Sequence, residues 1–311
     1  MSIRISTLRA TEAGIETLQK RQVQLAESQE RLTSGKRVDK ASDDPAAAAR
    51  AERALAGEMR ATTSQRAVDA SRTAMSLSET AMGDAVELLQ QARETMVAAG
   101  NATYSDEQRK NLSEKLKAIR DQLMSVANRT DGAGTYLFGG QGTQAPPFID
   151  NPGGVAYQGT GGNATVPSGE PLPMSVDGRR AWLQARDPDT ATDDLSVFNV
   201  LDRVIGELSS TGVGGAQVKQ FVTEGLKDVD AVTENLLAAR AAAGEVLNRT
   251  DGIEGRIADS KLAAQTERSN AEDLDMVQAV SDFQNRQSGY DAALKTYSMV
   301  QRLSLFQYLS G

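Results

Sequence analysis

A mainly α-helical protein, with long helical-bundle or coiled-coil arms from both chain ends and a small central β-rich insert, is the fold class this sequence predicts. Three observations carry the prediction. Only 39% of the 311 residues are hydrophobic and 4% aromatic, too thin for a thick layered core and better suited to long helices. Seven of the eight prolines lie between Pro146 and Pro188, and twelve of the 27 glycines between Gly132 and Gly178, so the helix breakers are gathered in one central patch. Apolar residues recur at seven-residue spacing toward both ends, the signature of a helix–helix seam.

The first arm opens on Ile3 to Thr7, which reads as a short extended lead. Leu18, Leu25 and Leu32 follow at heptad spacing, with Leu8 and Ile15 at a second heptad position that Gln22 and Gln29 continue as polar residues. Ser34-Gly35 suits a helix end. Lys36 to Asp43 reads as a solvated polar loop with a small basic cluster at Lys36, Arg37 and Lys40. Asp44 is then expected as N-cap and Pro45 as the first residue of a helix reaching about Ala99. Gly100-Asn101 stops it. Ser105-Asp106-Glu107-Gln108 is a capping box that opens another helix, carrying Leu112, Leu116, Ile119, Leu123 and Val126 to a turn at Asn128–Gly132.

Tyr136 to Gly140 reads as a strand leaving the helical arm, and short strands joined by tight turns are expected through Phe148, Tyr157 and Val176. Asp193-Asp194 is expected to cap a return to helix that presents Leu195, Phe198, Leu201, Val204, Ile205 and Leu208. After a glycine break at 212–215 a second long run begins near Ala216. Within it Asn248–Gly252 repeats the five residues at 128–132, and both copies read as local turn or helix-edge solutions. The last arm, 275–309, places Met276, Phe283, Tyr290 and Tyr297 at strict heptad spacing, with Val280 and Leu294 widening the stripe. Leu305, Phe306, Tyr308 and Leu309 close the chain. Five of the 13 aromatics lie between Phe283 and Tyr308, and so apolar a helix is costly to leave in water. The N-terminal heptads are its complementary stripe.

Histidine and cysteine are both absent, which removes an imidazole base, a thiol nucleophile, a disulfide framework and a Cys-type zinc site. The absence of cysteine fits chance in an alanine-rich chain as well as selection against thiols in a protein that unfolds in transit. No phosphate-binding glycine motif occurs, since Gly132 to Gly134 and Gly159 to Gly162 lack the spacing. Asp43-Asp44 is better explained as a cap than as an acid–base or metal pair. Catalytic, cofactor and metal sites are therefore not expected, and the chain reads as a non-enzyme. A formal net charge of −8 gives no case for nucleic acid. No run reaches a membrane-spanning length, and Met1 to Lys20 lacks the pattern of a cleaved secretory signal. Asn-x-Ser/Thr sequons, among them those at Asn101, Asn128, Asn163 and Asn248, carry little weight without such a signal.

Three stretches near the N-terminus, Ile3-Arg4-Ile5-Ser6-Thr7, Leu32 to Val38 and Ser42-Asp43-Asp44-Pro45, together resemble the start of the bacterial flagellin family. The closing Ser304 to Leu309 is similar to the hook–filament junction branch of that family, as are Tyr136 to Gly140, Pro147-Phe148, Tyr157 to Gly159 and Asp177-Gly178 in order. Gln307 departs from it, standing where the family usually has an acidic residue. The resemblance implies a structural protein of the flagellum outside the cell. It would be exported through the flagellar type III apparatus without a cleaved signal. Implied partners are copies of itself, the first hook-associated protein, flagellin, and an export chaperone at the C-terminal helix.

The implied architecture is a terminal coiled-coil domain, 1–44 with 275–311, a long-helix bundle, 45–143 with 190–274, and a small outer β-rich domain, 144–189. The expected assembly interface is Leu8, Ile15, Leu18, Leu25 and Leu32, together with Met276, Val280, Phe283, Tyr290, Leu294, Tyr297, Leu305, Phe306, Tyr308 and Leu309. Two alternatives stand beside this reading: a flagellin filament subunit, and an intracellular coiled-coil scaffold.

Overall fold

The computed structural model describes residues 2–101, 104–142, 145–163, 165–166, 171–192 and 194–309, with the backbone alone at 2–11 and 301–309. Seven helices are present among them: α1 (Ser2–Ser34), α2 (Pro45–Ala99), α3 (Asp106–Ala127), α4 (Gly178–Leu183), α5 (Val197–Ser209), α6 (Gly215–Glu272) and α7 (Met276–Leu309). Four short strands, β1 (Phe148–Asn151), β2 (Gly154–Tyr157), β3 (Thr165–Val166) and β4 (Leu172–Pro173), form two antiparallel pairs, β1 with β2 and β3 with β4. The chain divides into two compact units, Met1–Ala61 with Asp259–Gly311, and Thr62–Ala258.

Helix boundaries follow local chemistry. Gly35 closes α1 with φ of +70°, and its amide donates to Arg31 O at 2.9 Å, the left-handed termination that costs glycine no strain. Asp44 Oδ1 accepts from the amides of Ala46 and Ala47 at 3.1 and 3.0 Å, and Pro45 is the first residue of α2. The Ser105 hydroxyl accepts from the Gln108 amide while the Gln108 side chain accepts from the Ser105 amide, so both halves of the capping box form.

Every seventh residue of α2 from Ala47 to Met96 is buried: Ala47, Ala54, Ala61, Val68, Met75, Met82, Leu89 and Met96. α6 has the same period, with Val222, Val229, Leu236, Ala243 and Thr250 buried in the second unit. Within that unit the two helices run antiparallel. Arg93 meets Asp230 at 2.8 Å, Arg240 meets Glu79 at 2.6 Å, and Arg72 meets both Asp251 and Glu254. These pairs are half-exposed and add little stability singly, but a slip of one helical turn would break all of them. In the first unit, Glu58 is held by Gln265 and Arg268 at 2.9 and 2.8 Å, and a Cβ added to Gly57 would touch Ala264 at 3.6 Å.

The insert is tied to the helices of the second unit by an aromatic cluster and a buried arginine. Trp182 stacks on Phe198 with centroids 6.0 Å apart and meets Phe138 edge-on at 5.4 Å, with Phe148 beside both Trp182 and Phe198. Tyr157 Oη donates to Phe138 O at 3.0 Å, and burial pushes the hydroxyl up to about 12, so it remains a donor at neutral pH. Arg120 of α3, its side chain only 9% exposed, donates to Asp150 of β1 and to Asp202 of α5 at 2.9 Å, and lies 5.8 Å from the Phe198 ring centre. Asn128 extends the pairing of β1: its amide group donates to Phe148 O and accepts from Phe148 N at 2.9 and 3.0 Å. The β3–β4 hairpin is anchored separately. Leu172 is fully buried against Val68 and Ile253, Ser71 Oγ donates to Pro173 O at 2.6 Å, and Arg249 donates to Pro171 O.

Several sequence expectations are corrected. Ile3 to Thr7 is helical, because the weak strand preference of Ile and Thr yields to a helix already propagating from the heptads. Tyr136 to Gly140 forms only isolated bridges, Tyr136 with Thr130, Gly139 with Asp177 and Gly140 with Thr160. Gly140 has φ of +69° and touches Thr160 O so closely that any Cβ would collide, so the segment bends where a strand would continue. Asp177 caps α4, a short helix within the stretch 144–189 that was expected to hold strands and turns. Ser196 caps α5. Of the two aspartates expected there, Asp193 lies outside the described residues, and Asp194 accepts from Thr192 Oγ1 at 2.6 Å. Asn248–Gly252 lies inside α6, where Thr250 occupies a buried seam position, whereas the same letters at 128–132 end α3. Lys36 and Lys40 are not simply solvated: they pair with Glu272 and Glu30 at 3.3 and 3.2 Å.

Replacing Arg120 by Ala removes charge-assisted bonds to two carboxylates that keep partial access to water, and is expected to cost about 2 kcal/mol in urea denaturation at pH 7. Asp150 is held below the usual carboxylate range, first by its hydrogen bond from Arg120. A depressed folded-state value means this stabilisation is present above the unfolded value and lost as pH falls through the folded one. The difference between wild type and Arg120→Ala therefore shrinks below about pH 4. Leu172→Ala empties a fully buried site and is expected to cost about 2 to 3 kcal/mol in the same assay.

Candidate assembly surface

α1 and α7 pack side by side in the first unit. The Arg286 guanidinium donates to Gln24 O at 3.0 Å, a Cβ on Gly14 would lie 3.4 Å from the Tyr297 ring, and one on Gly289 would meet the Arg21 guanidinium. Pairs 14 with 297, 21 with 289 and 24 with 286 make the helices antiparallel.

The inward residues differ in part from those the heptads suggest. Leu18, Leu25 and Leu32 are half-buried, as are Phe283, Tyr290 and Tyr297. The second seam position of α1 falls on Gly14 and the buried Ser28, four residues before Leu18 and Leu32. Ile15, Gln22 and Gln29, three residues before each leucine, are exposed. On α7 the half-buried second position is Ala279 and Ala293, leaving Val280 and Leu294 exposed on the flank, with Met276 exposed as well. Both spacings fit a heptad. Small residues are taken because a glycine or alanine opposite an aromatic ring lets the helix axes approach. Leu8, Leu305, Phe306, Tyr308 and Leu309 lie on described helical backbone, but their side chains are outside the described ones.

The pair thus keeps aliphatic side chains in water. Ile15, Val23, Met276, Val277, Val280, Leu294, Met299 and Val300 are all exposed, from 41% at Leu294 to 85% at Val277. Fully burying one such side chain would stabilise by about 1.5 to 3 kcal/mol, and a half-exposed one by part of that. These side chains lie around the water-facing sides of one helix pair rather than along a single stripe. No described helix is long and apolar enough to cross a membrane. Charge adds little here: Lys20 pairs with Glu16 of its own helix at 2.7 Å, an exposed contact. The remaining signal that sequence reading missed is the seam of α2 and α6, whose seven-residue period is visible from Ala47 to Met96 and from Val222 to Ala271.

Comparison with known proteins places this geometry. Residues 5–143 match the bacterial flagellin N-terminal helical region. The chain is 30% identical to flagellar hook-associated protein 3 of Salmonella typhimurium, over 98% of this chain and 99% of that one. It is 27% identical to flagellar hook-associated protein 3 of Escherichia coli, covering 89% and 90%. Flagellins of several species match as well, each over less of the chain. Among solved structures, FlgL of Xanthomonas campestris shares the fold with a TM-score of 0.60 at 19% identity, covering 70% of this chain and 99% of that one. An end-to-end match at this identity, on a fold of long paired helices around a small insert, makes the chain a member of the flagellar hook-associated protein 3 family within the wider flagellin group.

Proposed function

We propose that the chain is the structural subunit that joins the flagellar hook, through the first hook-associated protein, to the flagellin filament. The observation that carries the reading is the set of exposed aliphatic side chains on the α1–α7 pair, in a chain that aligns throughout with hook-associated protein 3. In the assembled state these side chains meet the same helices of neighbouring subunits and of the two adjoining proteins. The terminal pair, 1–44 with 275–311, forms the inner layer. The long helices, 45–143 with 190–274, form the next, and the insert 144–189 faces outward. Before assembly the chain leaves the cell through the flagellar export apparatus, and an export chaperone covers the apolar face of α7. The abundance of exposed aliphatic residues on α7 supports that last step, since they are costly in water.

Flagellin itself is the second reading, favoured by the match of residues 5–143 to the flagellin N-terminal helical region. Immunogold labelling separates the two. A band at the distal end of the hook is expected, and label along the whole filament would reject the junction role.

The surface is tested by charge. Leu25→Asp strikes the half-buried seam and Leu294→Asp the exposed flank. Both variants should be secreted at wild-type levels, yet incorporation should fall by roughly 100-fold or more, because each buries an unpaired carboxylate in the assembled interface. Normal filament attachment in both would refute this assignment of the surface. The intracellular scaffold alternative predicts instead that the full-length protein stays in the cell.

A further inference from the structure

Within the second unit a cavity of about 550 Å³ lies between the insert and the middle of α6. Its size falls inside the range of roughly 300 to 1,000 Å³ spanned by sites that enclose small ligands. Met75 of α2, Ala181 of α4 and Ala239, Ala243 and Val246 of α6 supply apolar lining. Met75, Ala181 and Ala243 are almost fully enclosed, whereas Ala238 and Ala242 on the same wall are exposed. The α6 wall therefore runs from the interior out to solvent. A wall of alanine is smooth, and it suits a chain of small side chains better than one bulky group.

The polar lining is Asn163, Asp177, Arg180 and Asn235. Both carboxylate oxygens of Asp177 are engaged. Oδ1 accepts from the Arg179 and Arg180 amides at 3.0 and 3.3 Å, and Oδ2 accepts from the Gly162 amide at 2.8 Å. Asn163 Oδ1 accepts from the Asp177 amide at 2.9 Å, which leaves the Asn163 Nδ2 donors unused. Asn235 Nδ2 donates to Arg180 O and Ala181 O, both at 2.9 Å, which leaves Asn235 Oδ1 as an unused acceptor. The Arg180 guanidinium has no partner among the described residues. An exposed arginine alone needs no explanation. Here it borders an apolar cavity that also holds a spare donor and a spare acceptor.

We propose that this cavity is a docking site for a short extended peptide segment with small apolar side chains and one carboxylate. Arg180 takes the carboxylate, and the two asparagines take the C=O and N–H of the peptide backbone. A guanidinium fork matches a carboxylate with two parallel bonds, and at a solvated rim it fixes orientation more than it adds affinity. Arg180 is the one cation among the described lining residues, which suits a single carboxylate better than a phosphate. The site is apart from the α1–α7 surface and does not rest on the junction reading.

The test uses the full chain labelled with ¹⁵N and titrated with the blocked tetrapeptide acetyl-Ala-Glu-Ala-Ala-amide, followed by amide NMR. Shifts around Asn163, Arg180 and residues 235–246 are expected, saturating with a Kd of roughly 1 mM. Replacing Glu by Gln in the peptide, or Arg180→Gln in the protein, should each weaken binding roughly fivefold. The two changes together should cost no more than either alone, since they remove one contact. Ala242→Phe, at an exposed position, fills the mouth and should abolish the shifts. Arg186→Gln removes an exposed arginine that does not line the cavity and should leave the Kd within about twofold. Should Ala242→Phe disturb folding by circular dichroism, the cycle of two peptides on two proteins decides the matter. Absence of saturable shifts, equal affinity for the two peptides, or an unchanged Kd in Arg180→Gln would overturn the proposal. So would hexanoate matching the peptide's affinity, which makes the site one for a free organic acid. Shifts of the same amides on raising protein concentration alone would assign the cavity to a second copy and overturn it as well.

Discussion

Among the described residues of the first unit, no fully buried side chain is larger than valine. This constraint governs the rest of the structure. Two helices in contact bury one narrow stripe each, and here the stripe of α2 and α6 in that unit is alanine while that of α1 and α7 stays half-exposed. Marginal folding stability is a small difference between burial and the entropy of ordering the chain. A unit that buries only alanine, serine and valine has little with which to offset that entropy. The second unit differs, because Met75, Met82, Leu89, Trp182 and Phe198 are fully enclosed there. Stability within the chain is therefore uneven, and the end that lacks a core also carries the exposed aliphatic side chains of α1 and α7.

The unevenness follows a gradient of residue size along α2. Its buried heptad positions run from alanine at 47, 54 and 61 to methionine and leucine at 75, 82, 89 and 96. The large-residue end shares its core with α3, α5 and the insert, where Arg120 and the aromatic cluster fix the hairpin. Insert and bundle are thus parts of one packed body, held by a buried guanidinium with two carboxylate partners and by Leu172 seated against Val68 and Ile253. Among the described residues, the small-residue end buries only alanine on this stripe.

How much of this could be read in the sequence depended on whether the deciding interaction was local. The Asp44-Pro45 start, the Ser105–Gln108 capping box and the glycine stop at Gly35 are each settled within a few residues, and local chemistry sufficed to place them. The paired arms and the central insert were legible from the placement of proline and glycine. Where a distant partner decides, the reading failed. Asn248–Gly252 is helical, with Thr250 buried on the seam of α6, while its twin at 128–132 ends α3, Arg129 pairing with Asp84 and Thr130 bridging to Tyr136. Asp177 caps α4, and its first residue is glycine because Phe138 O sits where a Cβ would stand. The inward positions of α1 and α7 turn on a choice between spacings of three and four that the opposing helix settles, as Tyr297 does over Gly14. The α2–α6 heptads were open to view but are dominated by alanine, which carries weak hydropathy contrast.

The central claim, that the α1–α7 pair is completed by other subunits, is tested most directly by hydrogen exchange on the free chain and on the chain assembled onto isolated hooks bearing the first hook-associated protein. The account predicts that amides of α1 and α7 exchange far faster than those of α2 between Met75 and Met96 in the free chain. On assembly they should slow by roughly a hundredfold or more. Protection of α1 and α7 in the free chain equal to that of the second unit, unchanged on assembly, would contradict it.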